Sequence, residues 1–161
     1  MKFNQSNIKK AKKCLDKNMC VAVPTETVYG LAGNARSSMA VKKIFHLKKR
    51  PKTNPLIVHY SSLSRLKEDC VLNDNFFKLY KKFCPGPITF ILKLKKNSKI
   101  SKNVTNRGKT LAIRFPSHHL AIKLLKILKY PLAAPSANIS SKISPVTKGD
   151  VKDEFGERIK F

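Results

Sequence analysis

Ser37-Ser38-Met39-Ala40-Val41-Lys42-Lys43-Ile44-Phe45-His46-Leu47-Lys48-Lys49-Arg50-Pro51 runs through Lys52-Thr53-Asn54-Pro55 into Leu56-Ile57-Val58-His59-Tyr60. One stretch thus sets out a helix, a basic break and a strand. Ser37 and Ser38 are helix-start residues, because a Ser hydroxyl accepts from an otherwise unpaired amide of the first turn. Val41, Ile44, Phe45 and Leu47 recur at helical spacing, and Pro51 stops the helix by restricting the residue before it. Leu56 to Tyr60 is a short apolar, partly β-branched run, the mark of a buried strand.

Working outward, the same alternation continues. Asn4 to Lys17 reads as an amphipathic helix with Ile8, Ala11 and Leu15 inward. Cys20 to Val23 reads as a strand ended by Pro24. Thr25 to Gly33 reads as a polar, Gly-punctuated loop. Beyond Tyr60, helices are expected at Ser62 to Cys70 and Asn73 to Phe83, then a rigid turn at Pro85-Gly86-Pro87. Strands are expected at Ile88 to Leu94 and Thr110 to Phe115. A helix follows at Ser117 to Tyr130, a buried strand at Leu132 to Ala134, a polar loop at Ser136 to Ser144 and a last helix at Gly149 to Phe155. Helices alternating with strands indicate an α/β fold of mixed strand direction, in one domain spanning 1–161.

Composition sets the bounds. A hydrophobic content of 42% over 161 residues supports one packed core and argues against disorder. No apolar run nears the ~18 residues of a membrane span, and the first 13 residues lack a signal-peptide core, so a cytoplasmic location is expected. Cys14, Cys20, Cys70 and Cys84 form no C-x-x-C pair. They are assigned neither metal nor catalysis. The net charge is +25, from 34 basic and 9 acidic residues. That charge favours anionic partners such as RNA or ATP. A/T-rich codons for Lys, Asn and Ile would write much of the same surface.

Four polar or small-residue segments follow strands, where loops commonly carry function. Thr25-Glu26-Thr27 offers hydroxyls. Lys48, Lys49 and Arg50 crowd a helix end. Compensation of the helix dipole explains one cation there better than three, and a Lys point charge beside an Arg fork suits a phosphate. Arg114 interrupts the apolar Leu111-Ala112-Ile113. A buried Arg needs a partner, either an internal acid or the carboxylate or phosphate of a ligand. Ala133-Ala134-Pro135-Ser136-Ala137-Asn138 is small enough for a ligand to approach the backbone, although a plain Ser/Asn turn would look alike.

Six stretches in order resemble the YrdC-like family of threonylcarbamoyl-AMP synthases. They are Pro24-Thr25-Glu26-Thr27-Val28-Tyr29-Gly30-Leu31, Lys48-x-Arg50-Pro51, Asn54-Pro55-Leu56-Ile57-Val58-His59, Pro85-Gly86-Pro87-Ile88-Thr89-Phe90, Leu111-Ala112-Ile113-Arg114 and Ala134-Pro135-Ser136-Ala137-Asn138-Ile139-Ser140. The resemblance implies a twisted mixed sheet with flanking helices around a basic concave groove. It implies a nucleotidyltransferase that joins L-threonine, bicarbonate and ATP and releases pyrophosphate, for N6-threonylcarbamoyladenosine in tRNA. By the same resemblance Thr27, His59, Arg114 and the Ala134 backbone hold threonine, with Arg114 on its carboxylate. Lys48 and Arg50 are the catalytic phosphate contacts. Asn54, Thr110, Ser136, Asn138 and Ser144 complete the ATP site, and Mg²⁺ accompanies ATP.

Downstream tRNA-modification proteins are the implied partners, and no membrane is involved. The family usually continues into further strands with a Ser-Thr pair and an Arg. Against that pattern the chain, whose Ile159-Lys160-Phe161 reads as the start of a next strand, is short at its C-terminus. Two other functions fit the residues: a non-catalytic member binding double-stranded RNA or tRNA, and a paralogue acting on another carbamoyl substrate.

Overall fold

A computed structural model describes residues 5–159. Asn4, expected to open the first helix, and Lys160 and Phe161, expected in a further strand, lie outside the described residues. The elements in chain order are α1 (Gln5–Asp16), β1 (Val21–Pro24), β2 (Tyr29–Asn34), α2 (Ser38–Lys48), β3 (Ile57–His59), α3 (Leu63–Asp69), α4 (Asp74–Phe83), β4 (Phe90–Lys93), β5 (Thr110–Arg114), α5 (His119–Ile127), β6 (Leu132–Ala133) and α6 (Lys148–Phe155), followed by a 3₁₀ turn at Gly156–Arg158. The six strands form one sheet in the order β1-β2-β6-β3-β5-β4. Only the β3–β5 pair is parallel, so the sheet is mixed as expected.

Two sequence expectations give way here. The Thr25–Gly33 loop is shorter than its composition suggests, because Tyr29–Asn34 is a strand paired with β1 and then with β6. Its two glycines hide it, since Gly weakens a strand by propensity. Packing explains them: a Cβ on Gly33 would stand 3.1 Å from Ile44 Cδ1, and one on Gly30 3.4 Å from the Ala134 Cβ. Pro24 belongs to β1 instead of ending it, pairing with Tyr29. β1 stands at the end of the strand order, a position that tolerates a missing N–H.

Helix α2 starts where the sequence places it, with Ser37 Oγ accepting from Ala40 N. It ends at Lys48, three residues before Pro51. Lys49 takes a left-handed φ of 48°, its N–H reaches the His46 carbonyl, and the Arg50 N–H reaches Phe45. This is the reverse turn that closes many helices, here without the usual glycine.

Strand register sorts the side chains, because cross-strand partners share a face. One face carries Leu31, Val58, Phe90, Leu92, Leu111, Ile113 and Ala133. It is buried against Val41, Ile44 and Phe45 of α2, Leu66 of α3, Phe76 of α4, and Val151 and Phe155 of α6. The second face is covered only in part. Val21, Val23, Ala32, Leu132 and Ala134 pack against Leu15 of α1 and Leu124 and Leu125 of α5. Beyond β6 that same face carries Ile57 and His59 of β3, Thr110, Ala112 and Arg114 of β5, and Ile91 and Lys93 of β4. Ile91 is 73% exposed. Half of this face is therefore open.

Asp69 ties the covered side together. Its Oδ2 accepts from the Tyr60 hydroxyl at 2.9 Å, and its Oδ1 accepts from Ser98 Oγ at 2.7 Å and from the Lys99 amide at 3.2 Å. Arg36 Nη2 stands 3.7 Å away. Burial pushes the Tyr60 phenol far up, keeping it a donor. Removing the carboxylate leaves the Tyr60 hydroxyl, the Ser98 hydroxyl and the Lys99 amide without their acceptor and takes one of two acids from Arg36, which keeps its 2.7 Å bond to Glu68. Asp69→Ala should therefore lower stability by about 3–5 kcal/mol and Tyr60→Phe by about 1–2 kcal/mol, measured by urea denaturation. A loss under about 1 kcal/mol for Asp69→Ala would show the cluster to be hydrated.

Candidate functional site

The open half of the sheet gathers the first group of predicted residues. His59 and Arg114 are cross-strand partners at the ends of β3 and β5. Thr27 comes from the β1–β2 turn, and its Oγ1 accepts from Arg114 Nη1 at 3.4 Å. Thr25 shapes that turn: its Oγ1 accepts from the amides of Thr27 and Val28 and donates to the Val28 carbonyl. Ala134 adjoins β3, donating its N–H to the Ile57 carbonyl. Any backbone part it plays toward a ligand therefore falls to its carbonyl.

Electrostatics distinguish the two basic groups of this cluster. Burial, followed by the Arg114 charge, lowers the His59 pKa to about 3. His59 is thus a neutral imidazole at physiological pH. Arg114 lies beside Glu26, whose Oε1 is 3.6 Å from its Nη1. The internal-acid reading of Arg114 holds in part: Glu26 stands beside it, but beyond hydrogen-bond distance.

The second group forms around α2, in a form the sequence did not suggest. Lys48 is 1% exposed. Its Nζ donates to the carbonyls of Ser136 and Asn138, both at 2.5 Å. Its own carbonyl accepts from the Ser140 amide at 2.8 Å. Burial, then the Arg50 charge, lowers its pKa to about 8, while Glu154 opposes the shift. Three N–H groups on an ammonium leave one beyond these two bonds. Lys49 is exposed, as expected.

Arg50 donates from Nε to the Asn54 carbonyl at 3.1 Å and from Nη2 to the Pro55 carbonyl at 3.0 Å, so Arg50 and Asn54 are together. The Asn138 amide donates to the carbonyls of Ile139 and Lys142, shaping the loop. Its Oδ1 and the Ser140 hydroxyl are buried without a partner. Such orphaned acceptors and donors fit a polar ligand in this loop.

The remaining two residues are more distant. Thr110 is exposed opposite Lys93. It lies four residues along β5 from Arg114, about 13 Å at strand rise. Ser144 is half-buried, next to Pro145, whose carbonyl accepts from the Tyr29 amide. Sequence reasoning did not connect Thr89 or Glu26 with Arg114, which both meet. Both were in view inside motifs, but nothing local in the sequence pairs them with position 114.

Two cavities lie off the open face. One of about 850 Å³, bounded by α1, α5, β1 and α6, includes none of the predicted residues. Its lining is largely apolar, with Ile8, Val23, Leu124 and Val151 among it. The other, about 650 Å³, is a basic cleft on the outer face of α2. Lys42, Lys49, Arg50 and Lys52 line one side and Lys102, Arg107 and Arg158 the other, with no acid among its lining residues. Cys20 and Cys70 are buried thiols whose pKa values burial raises to about 11 and about 12, which keeps them protonated.

The fold and site together define an α/β protein that sets an arginine and a neutral histidine on a half-open sheet, with a lysine-bound loop alongside. Residues 13–161 match the family model Sua5_yciO_yrdC, described as telomere recombination. The chain is 44% identical over 158 residues to the threonylcarbamoyl-AMP synthase of Bacillus subtilis, covering 97% of itself and 45% of that protein. It is 34% identical to the corresponding synthase of Idiomarina loihiensis, covering 86% of itself and 75% of the relative. Its structure superposes on the crystal structure of P. abyssi Sua5 complexed with L-threonine with a TM-score of 0.94 at 38% identity. That match covers 99% of this chain and 47% of the other. The chain belongs to the Sua5/YciO/YrdC family. It spans about half the length of the Bacillus relative.

The buried neutral His59 makes a stability prediction. An unfolded His takes up a proton near pH 6.5, whereas the folded protein resists it down to about 3. A depressed histidine pKa means that stability is lost as pH falls below about 6.5, at up to about 1.4 kcal/mol per pH unit. Urea denaturation between pH 6.5 and 5 should show this slope, and His59→Gln should flatten it. An unchanged slope in the variant would mean that His59 protonates in place.

Proposed function

We propose that the chain makes threonylcarbamoyl-AMP from L-threonine, bicarbonate and ATP, with release of pyrophosphate, for the N6-threonylcarbamoyl modification of tRNA adenosine. The observation that carries this reading is the Thr27–Arg114–His59 cluster on the open half of the sheet. The similarity to synthases and to the threonine-complexed structure supports it.

In this reading Arg114 takes the threonine carboxylate, and Thr27 and the Ala134 carbonyl face its polar groups. Neutral His59 adds no second positive charge next to the substrate amine. The threonine nitrogen attacks the carbon of bicarbonate-derived CO₂ and loses a proton to form a carbamate. A carbamate oxygen then attacks the α-phosphorus of ATP, and the bond to the pyrophosphate oxygen breaks. No covalent enzyme intermediate is needed, so the protein's work is positioning and charge stabilisation.

The remaining N–H of Lys48 and the Arg50 guanidinium meet the phosphates. Asn54, Ser136, Asn138 and Ser144 line the nucleotide, and Thr110 bounds it further along β5. Mg²⁺ would come with ATP. Among the described residues no group of three His, Cys, Asp or Glu is placed to hold a metal, and Mg²⁺ characteristically takes substrate phosphates and waters. The product is a reactive mixed anhydride, which suits direct use by downstream tRNA-modification proteins in the cytoplasm. No helix among the described residues is long and apolar enough to cross a membrane.

The test is pyrophosphate release from ATP that depends on both threonine and bicarbonate. No release above blank at saturating substrates rejects the proposal. Arg114→Ala should weaken threonine binding by about 30- to 1,000-fold with little change for ATP, the cost of leaving a buried carboxylate unpaired. Lys48→Ala should raise the KM for ATP more than that for threonine.

The basic cleft outside α2 favours a second reading, in which the chain binds double-stranded RNA or tRNA without turnover. Cations from three loops and a helix, mostly exposed, suit a phosphate backbone better than a small chelated anion. Duplex RNA affinity should then fall steeply between 50 and 200 mM salt. The triple charge reversal K49E/K102E/R107E should weaken it far more than K78E/K81E/K82E on α4. Equal losses would assign binding to the overall charge instead of the cleft.

A further inference from the structure

Arg114 has five N–H groups, and the surrounding residues engage them unevenly. Thr89 Oγ1 accepts from Nε at 3.2 Å and from Nη2 at 2.9 Å. Thr27 Oγ1 accepts from Nη1 at 3.4 Å. Glu26 supplies a negative charge at 3.6 Å from Nη1, too far for a hydrogen bond. Three of the five N–H groups are thereby directed, leaving one on each terminal nitrogen among the contacts of the described residues. That is the end of the fork that grips a carboxylate with two parallel bonds.

Thr89 is well placed to do this. The β4–β5 register pairs Phe90 with Ile113, so one step further sets Thr89 across from Arg114. Gly86 N donates to the Phe115 carbonyl, fixing the turn that leads into the strand. A threonine is stiff at χ1, so its hydroxyl holds a direction. It is also uncharged. An acid at 89 would neutralise the guanidinium and compete with a ligand carboxylate, whereas a hydroxyl orients it and leaves its charge available. Glu26 is held in turn, its Oε2 accepting from the Ser117 amide at 3.0 Å.

We propose that Thr89, backed by Glu26, is a positioning residue that turns the Arg114 guanidinium so that its two terminal N–H groups face the carboxylate of the amino-acid substrate. This role rests on the synthase reading above. Without the brace, a long flexible arginine samples several orientations before binding, and the ordering cost falls on substrate affinity.

The experiment compares wild type, Thr89→Val and Thr89→Ser in the full chain. Valine keeps the shape and removes the acceptor; serine restores the acceptor. Thr89→Val should raise the threonine KM at least tenfold at saturating ATP, with kcat and the ATP KM within about twofold. Thr89→Ser should recover most of the loss. In ligand-free protein, the ¹⁵N resonance of Arg114 Nε should shift in Thr89→Val and return toward wild type in Thr89→Ser. A threonine KM within twofold of wild type in Thr89→Val overturns the proposal, as does an unmoved Nε resonance or a serine variant that behaves like valine. Wild-type protein that neither binds threonine nor releases pyrophosphate overturns the synthase reading and with it the substrate role. The Nε resonance then separately decides whether Thr89 orients Arg114.

Discussion

A six-stranded sheet has two faces to bury, and this chain has helices enough for one and a half. The core face receives α2, α3, α4 and α6, while α1 and α5 reach only β1, β2 and β6 on the other. What stays open over β3, β5 and β4 is a floor of known register, with alternate side chains pointing up from it. A half-covered sheet would be a liability if its bare residues were all apolar. Here they include Thr110, Lys93 and the half-buried Arg114, so the uncovered area is partly polar. The site follows from this incomplete coverage more than from any single motif.

A half-buried cation and a buried one then set the character of each side, by different means. Arg114 has a carboxylate nearby, hydroxyls to orient it and a histidine kept neutral next to it. Lys48 has mostly carbonyl dipoles, and its lowered pKa records how incompletely they replace water. A charged donor to a carbonyl is worth more than a neutral bond, roughly 1.5–3 kcal/mol. Two such bonds from one ammonium are enough to hold a small-residue loop that has little side-chain packing of its own.

Much of this was legible in the sequence. The helix at Ser38–Lys48, the caps at Ser37 and Asn73, and the strands around Ile57, Phe90 and Leu111 follow from local periodicity and turn chemistry. Strand β2 did not, because its two glycines answer to Ile44 and Ala134, contacts distant in sequence. The stop at Lys49 was missed because a left-handed lysine carries no local signal, whereas Pro51 is conspicuous. Site residues were recognisable as types, yet their connections were not. Lys48 as a basic residue at a helix end suggested a phosphate contact; only packing shows it beneath the Ser136–Ser140 loop. Arg114 read as an arginine in want of a partner, and its partners come from positions 26, 27 and 89.

The double attachment of Lys48 also has a mechanical meaning. Its ammonium holds the carbonyls of Ser136 and Asn138 while its own carbonyl holds the Ser140 amide. One residue at the end of a packed helix thus holds the loop at three points, which fastens helix and loop together. The Thr25–Val28 turn is tied by its own short-range hydroxyl bonds, by Glu26 to the Ser117 amide and by Thr27 to Arg114. One segment is thus fastened to a helix by a buried cation, the other to the sheet through the side chain of Arg114. A ligand that pulled on Arg114 would therefore pull on the Thr25–Val28 turn as well.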